Sequence, residues 1–233
     1  MQHEARLTEG PVARTLMKLS APMVVAMFAM AGFNIVDTFY LGRLGTEPLA
    51  AMGFTLPVVM AVNSISLGIG VGTTAVVSQA IGRRDTEGVR RVALASLLLG
   101  FAVSSTMAIA GLLGGRTLFV ALGAEGRVLE HVLEYMSVWF FGLPFIVIPQ
   151  NGNSSLRATG DTQTPAKIML TVLGVNAVLD PLLIFGWGPV PAMGMRGAAI
   201  ATVFSQACAM VVALILLNRR GILTRVRMTF TEV

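Results

Sequence analysis

The 233-residue chain is 55% apolar and only 12% charged, with a mean hydropathy of +0.76. A soluble domain carries about 25% charged residues, so this balance excludes an ordinary soluble enzyme and points to membrane-embedded helices. The net charge of +5 fits basic loops at an anionic membrane face and not nucleic-acid binding, while the lone Cys208 excludes an intramolecular disulfide or a cysteine metal cluster.

Residues 1–14 are polar and of mixed charge and read as a cytoplasmic tail, with no cleavable signal-peptide pattern. Six apolar spans follow. Span 1 is expected over Leu16–Leu41, with Pro22 near its start and Asp37 near its end. Span 2 covers Pro48–Ile81 and is long enough to tilt. After the polar link GRRDTEGVRR comes span 3, Val92–Leu113. The connection GGRTLFVALGAEGR is expected to be loop or a short interfacial helix. Span 4, Leu129–Asn151, contains Pro144 and Pro149, and NSSLRATGDTQTP reads as the most turn-rich segment. Span 5 is Ala166–Phe185 and span 6 is Ala198–Leu217. The domain plan is therefore a tail (1–14), a six-helix transmembrane lobe (15–218) and a basic cytoplasmic tail or start of a linker (219–233).

Six spans return the chain to its starting side. With both termini inside, the inner segments hold Arg6, Arg14, Lys18, Arg83, Arg84, Arg90, Arg91, Arg157, Lys167, Arg219, Arg220, Arg225 and Arg227. The outer segments hold only Arg43, Arg116, Arg127 and Arg196. The positive-inside rule thus places both termini in the cytoplasm of a multi-pass plasma-membrane protein, with no Arg expected within a span.

Two spans carry an acid inside their apolar run, away from the first turns. Asp180 lies in GVNAVLDPLLIFG, four residues after Asn176, so both side chains share a helix face. Asp37 lies in FNIVDTFY. A carboxylate at the centre of a span costs about 3 kcal/mol on insertion scales, which makes such acids functional candidates. At helical rise Asp37, Asp180 and Thr202 lie about 8–9 Å from the outer ends of their spans, and Tyr135 about 12 Å. With Asn176, these five can share one layer. Two carboxylates, an amide and a hydroxyl form an all-oxygen set suited to Na⁺ as well as to H⁺. Pro181 frees a carbonyl one turn back, and Pro22 gives span 1 a similar weak point. For Asn176 and Thr202 the competing reading is ordinary helix–helix hydrogen bonding, and for Tyr135 an aromatic-belt position. Glu130, His131 and Glu134 read as exposed first turns of span 4. Asn34 and Asn63 are candidate cavity residues; packing or capping accounts equally well for Asn63, Gln150 and Asn151.

No enzyme motif is present. GIGVGT lies inside span 2 without an alternating βαβ context, and there is no GxSxG elbow, Walker loop or His–Glu metal motif. No cofactor is expected beyond the coupling ion.

Several strings together resemble the N-terminal lobe of a multidrug and toxic compound extrusion (MATE) transporter: NIVDTFYLGRLGTEPLAAMGF, GVGTTAVVSQAIGRRD, SSLRATGDTQTP, NAVLDPLLIFG and MGMRGAAIATVFSQ. The paired Asp37 and Asn176–x3–Asp180 resemble the DinF-like branch. The resemblance implies cation-coupled export of amphipathic, often cationic, drug-like compounds. It implies a cation site at residues matching Asp37, Asn176, Asp180 and Thr202, with Tyr135 a weaker match, and a bending proline at Pro22. It also implies a second lobe: family members have about twelve spans, so this chain is expected to be a fragment, a half that pairs with a separately encoded lobe, or a homodimer. A lipid-linked precursor or polysaccharide flippase of the same superfamily, and a non-transporting assembly subunit, are the alternatives.

Overall fold

The computed structural model describes residues 12–219. Most of the expected tails, residues 1–11 and 220–233, lie outside the described residues; 12–14 already belong to the first helix.

Among the described residues, seven helices make six passes: α1 (Val12–Gly42), α2 (Thr46–Gly82), α3 (Thr86–Ala121), α4 (Gly126–Phe141), α5 (Leu143–Ala158), α6 (Gln163–Phe185) and α7 (Gly194–Arg219). Five are each long and apolar enough to cross a bilayer, and α4 with α5 makes the sixth crossing as one span bent by 52°. The all-α six-span bundle expected from hydropathy is what the described residues build. Helices are the natural solution, because an apolar run in lipid must satisfy its backbone groups within itself. The end of the bundle holding the α1–α2, α3–α4 and α6–α7 connections is called distal; the opposite end is proximal.

Side chains stop and start the helices at the proximal turns. The Asp85 carboxylate accepts the Gly88 N–H at 2.8 Å to cap α3, and Asp161 Oδ1 accepts the N–H groups of Gln163 and Thr164 at the start of α6. At the distal end α6 stops at Gly186, whose φ of 77° favours glycine, and Trp187 and Val190 pair across a tight turn into α7.

Two expectations need correction. The segment GGRTLFVALGAEGR is not a loop with a separate interfacial helix: α3 runs unbroken to Ala121. Gly111 and Gly115 face the ring of Phe140, so small residues mark a packing face here and not a chain break. Nor is NSSLRA a turn; α5 continues through it to Ala158 with Asn151, Asn153, Ser154 and Ser155 buried. Arg157 accordingly sits on the last turn of a helix within the broken span, half-buried, with its guanidinium donating to Ser154 Oγ at 2.6 Å.

The bend falls at Gly142, one residue before α5 and two before Pro144. A Cβ on Gly142 would run into the side chain of Val203 on α7. At Gly197 a Cβ would meet the Leu183 carbonyl, so glycine lets α6 and α7 close on each other backbone to backbone.

The main core lies in the distal half, where Phe119, Met136, Trp139, Phe140, Leu143 and Met195 interlock. Smaller clusters around Leu156 and Leu217, and around Ile168 and Ala209, serve the proximal half. α5 packs on α2, α3 and α7, whereas α1 leans chiefly on α6 and touches α2 and α7 lightly. A cavity of about 140 Å³ lies among α1, α2 and α4–α7.

Candidate functional site

The residues expected to share a layer converge. Asp37 on α1, Tyr135 on α4, Asn176 and Asp180 on α6 and Thr202 on α7 are all buried, none more than 5% exposed. Tyr135 stands beside Thr202 and within electrostatic reach of both Asp37 and Asp180, and the two carboxylates are within reach of each other. The two acids therefore lie close enough to interact, as equal depth on two parallel-running helices allows.

Helical spacing fixes one contact outright. Asn176 Nδ2 donates to Asp180 Oδ1 at 3.1 Å, one turn along α6. What remains is informative: Asp37 Oδ1, Asn176 Oδ1, Asp180 Oδ2 and Thr202 Oγ1 are buried and accept no hydrogen bond of good geometry. Buried polar atoms are nearly always partnered, so four such oxygens from three helices in one cluster require explanation. Two buried carboxylates cannot both hold charge without a compensating cation or proton. Oxygen-only donors suit a hard cation such as Na⁺, and the same carboxylates can carry H⁺.

The cavity sees only part of this cluster. Asp37, Thr202 and Tyr135 lie on its wall, while Asn176 and Asp180 are not part of the lining. Both candidate cavity residues line it: Asn63, and Asn34, whose amide donates to the Met30 carbonyl at 3.0 Å. Neither proline breaks its helix; α1 is continuous across Pro22 and α6 across Pro181. Pro181 lacks the N–H that would bond the Ala177 carbonyl, leaving that oxygen without its helical donor one turn proximal to Asp180.

Sequence reasoning missed part of the lining. Asn153 and Gln206 join Asn63 and Gln150 on the wall, and Asn153 Oδ1 is buried without a partner. Gln206 was within reach of the rule that pairs Asn176 with Asp180, because it follows Thr202 by four residues. Asn153 was hidden by the reading of its segment as a turn. Met30, Met52, Met169, Phe33 and Trp139 supply apolar and aromatic wall, and among the described residues no Lys or Arg lines the cavity. Glu134 is exposed and pairs with the partly buried His131 at 3.4 Å.

Comparison with known proteins places these features. The chain is 38% identical over 205 residues to a FAD transporter of Shewanella oneidensis, covering 88% of this chain and 45% of that protein. It is 27% identical over 202 residues to the multidrug export protein MepA of Staphylococcus aureus, covering 86% and 44%. The chain thus spans about half the length of the curated relatives it matches. A solved structure described as an outward-facing multidrug resistance MATE family transporter of the MOP superfamily superposes with a TM-score of 0.84 at 35% identity, over 92% of this chain and 47% of that one. The MatE family model matches residues 22–182, from the α1 proline to just past Asp180. With that match spanning most of the bundle, the chain belongs to the MATE family.

Proposed function

We propose that this chain forms one lobe of a cation-coupled exporter of amphipathic, often cationic, drug-like compounds, in which Asp37, Asn176, Asp180 and Thr202 bind the coupling Na⁺ or H⁺. The observation that carries the reading is the cluster of four buried, unpartnered oxygens beside the cavity. Multidrug export by relatives such as MepA supports the substrate class. The paired acid motif supports a place in the DinF-like branch. The distribution of basic residues supports a plasma-membrane orientation with the proximal end and both termini cytoplasmic, so the distal end faces out.

Binding of the cation near the distal end neutralises the carboxylates and changes how α1 packs, and the substrate is released outward. A charge moved across 100 mV is worth about 2.3 kcal/mol, enough to bias such a step. On this reading the lobe spans residues 15–218, and residues 219–233 are a basic cytoplasmic tail or the start of an inter-lobe linker. A second lobe completes the pathway: a C-terminal half, a separate half-chain or a second copy.

The test is efflux of a fluorescent cation from an exporter-deficient host expressing the chain in its native gene context. Asp37→Asn and Asp180→Asn are each expected to abolish efflux; activity surviving both removes the site.

A second reading has its own support, because the FAD transporter relative is 38% identical and MepA 27%. On that reading the exported compound is a flavin nucleotide. Appearance of FAD in the medium, with fluorescent-cation efflux unchanged by the same variants, would favour it.

A further inference from the structure

One cation sits apart from the rest of the proximal charge. Arg83, Arg84, Arg90, Arg91, Lys167 and Arg219 are exposed at that end, where water solvates them. Arg157 is half-buried on the last turn of α5, and its guanidinium donates to Ser154 Oγ at 2.6 Å. No carboxylate among the described residues pairs with it. A guanidinium taken partly out of water favours an anionic partner, and a hydroxyl supplies no opposing charge. The helix directs this cation along the cavity. Ile146, Pro149, Gln150 and Asn153 line the cavity as one stripe of α5. Arg157 follows Asn153 by four residues and Gln150 by seven, so it continues that stripe one turn proximal to the lining. Its bond to Ser154 turns the guanidinium back toward the preceding turn, as helical side chains lean, and so toward the level of Asn153.

The wall beyond Arg157 is neutral on this side. Asn153 Oδ1 is buried without a partner, Gln150 accepts from Ser66 at 3.0 Å, and Asn63 and Gln206 add two more carboxamides. The Trp139 and Phe33 rings belong to the same lining. Amides and aromatic faces can hydrogen-bond and stack a polar heteroaromatic ring, but they cannot neutralise a charge. Asp37, the one acid among the described lining residues, stands in the layer near the distal end, opposite Arg157. An elongated ligand with one anionic end is therefore oriented, ring in the cavity and anion proximal. From Ile146 to Arg157 is about 16 Å along α5, which accommodates a ring joined to a phosphate by a short polyol.

We propose that Arg157 reads the phosphate of an exported, ring-bearing organophosphate while the ring lies against the amide and aromatic wall. The proposal deepens the flavin-nucleotide reading above and rests on it. A planar guanidinium meets phosphate oxygens through two parallel N–H···O bonds, a geometry that the point charge of lysine does not reproduce. On the orientation proposed above, Arg157 lies at the cytoplasmic end, the side from which an exporter loads its cargo.

The test compares riboflavin with flavin mononucleotide, which differ only by the phosphate. Binding is read from quenching of flavin fluorescence, with the protein purified from cells expressing it in its native gene context and held in phosphatidylcholine nanodiscs. The wild type is expected to bind the phosphorylated flavin about tenfold to a hundredfold more tightly, the range of a hydrogen bond between charged groups. Arg157→Gln is expected to erase that preference and Arg157→Lys to keep part of it. On the wild-type protein, flavin mononucleotide but not riboflavin is expected to shield Arg157 from phenylglyoxal, read by peptide mass spectrometry. Failure of the wild type to bind either flavin overturns the flavin-nucleotide reading and the proposal with it. Binding of both flavins without preference, or a preference that survives in Arg157→Gln, overturns the role of Arg157 and leaves the flavin reading standing. Equal weakening of both flavins in Arg157→Gln does the same, as the mark of a merely structural arginine. If phosphatidylglycerol in the nanodisc itself shields Arg157 and removes the preference, the arginine holds a lipid headgroup and the proposal falls.

Discussion

The four unpartnered oxygens set stability against function. Asp180 holds one bond, from Asn176, and its second oxygen has none. Removing the donor strands the first oxygen as well, which costs about 1–3 kcal/mol for a buried group. Asn176→Ala is therefore expected to lower the thermal unfolding midpoint of the purified chain. Asp180→Asn removes a charge from a buried site while keeping the shape, and replacing a buried charge is often neutral or stabilising. That variant is expected to melt at or above the wild-type midpoint even as it loses transport. In the Asp180→Asn background, Asn176→Ala should cost less than it does alone, the signature of a direct pair. An Asp180→Asn protein that melts well below wild type would show that the carboxylate is held by partners other than those seen. This pair was legible in the sequence because a spacing of four on a helix leaves little choice of geometry. Asp37 and Thr202 were placed by depth alone, and the rotation that turns them inward depends on packing that no single helix encodes.

At the scale of elements, glycine is where sequence reading and structure part company. The glycines around position 115 looked like a break in span 3, and Gly160 with its polar neighbours looked like a long turn. In the folded chain α3 runs on to Ala121 and α5 runs on to Ala158, leaving only residues 159–162 around Gly160 as the turn, because the partners of the polar residues lie elsewhere. Asn151 donates to the Ser96 carbonyl at 3.4 Å, Ser66 to Gln150 at 3.0 Å and Thr74 to the Ser154 carbonyl at 3.3 Å. Gly70 and Gly100 on α2 and α3 leave room for these contacts, since a Cβ at either would collide with Ser154 or Asn151. Polar residues that read as loop in one dimension are thus interhelical hydrogen bonds in three. The same logic ranks two substitutions. Gly142→Ala meets the branched side chain of Val203, its Cβ included, so α7 must shift slightly and the cost is expected in the middle of the overpacking range, about 2 kcal/mol. Gly197→Ala meets the Leu183 backbone, which no rotamer change moves, and is expected to cost about 3 kcal/mol or to reduce folded yield. Thermal unfolding of the two variants side by side checks the order; equal midpoints would mean that α6 and α7 separate more easily than their packing suggests.

For the whole molecule the unequal attachment of α1 matters most. Hardly any of its apolar stretch is covered by the other described residues, and Met23, Met27, Phe28 and Ile35 are exposed. Helices that move are drawn from the least buried elements, yet α1 carries Asp37, the member of the carboxylate pair that faces the cavity. If charge at this pair decides how α1 sits on α6, the step can be blocked at their contact. Gly32 lies against Leu173 of α6, where a Cβ would stand 3.6 Å from Leu173 Cδ2. Cysteines at these two positions, with the free Cys208 changed to Ser, bring a short thiol crosslinker within reach of both helices. Crosslinking is expected to reduce efflux to background in cells expressing the chain in its native gene context, and cleavage of the linker to restore it. The crosslinked chain should unfold no earlier than the unlinked one, because the tie holds a contact already present. Full efflux with α1 tied to α6 would mean that the two helices move as one body, and the conformational change would then fall between this lobe and whatever completes it.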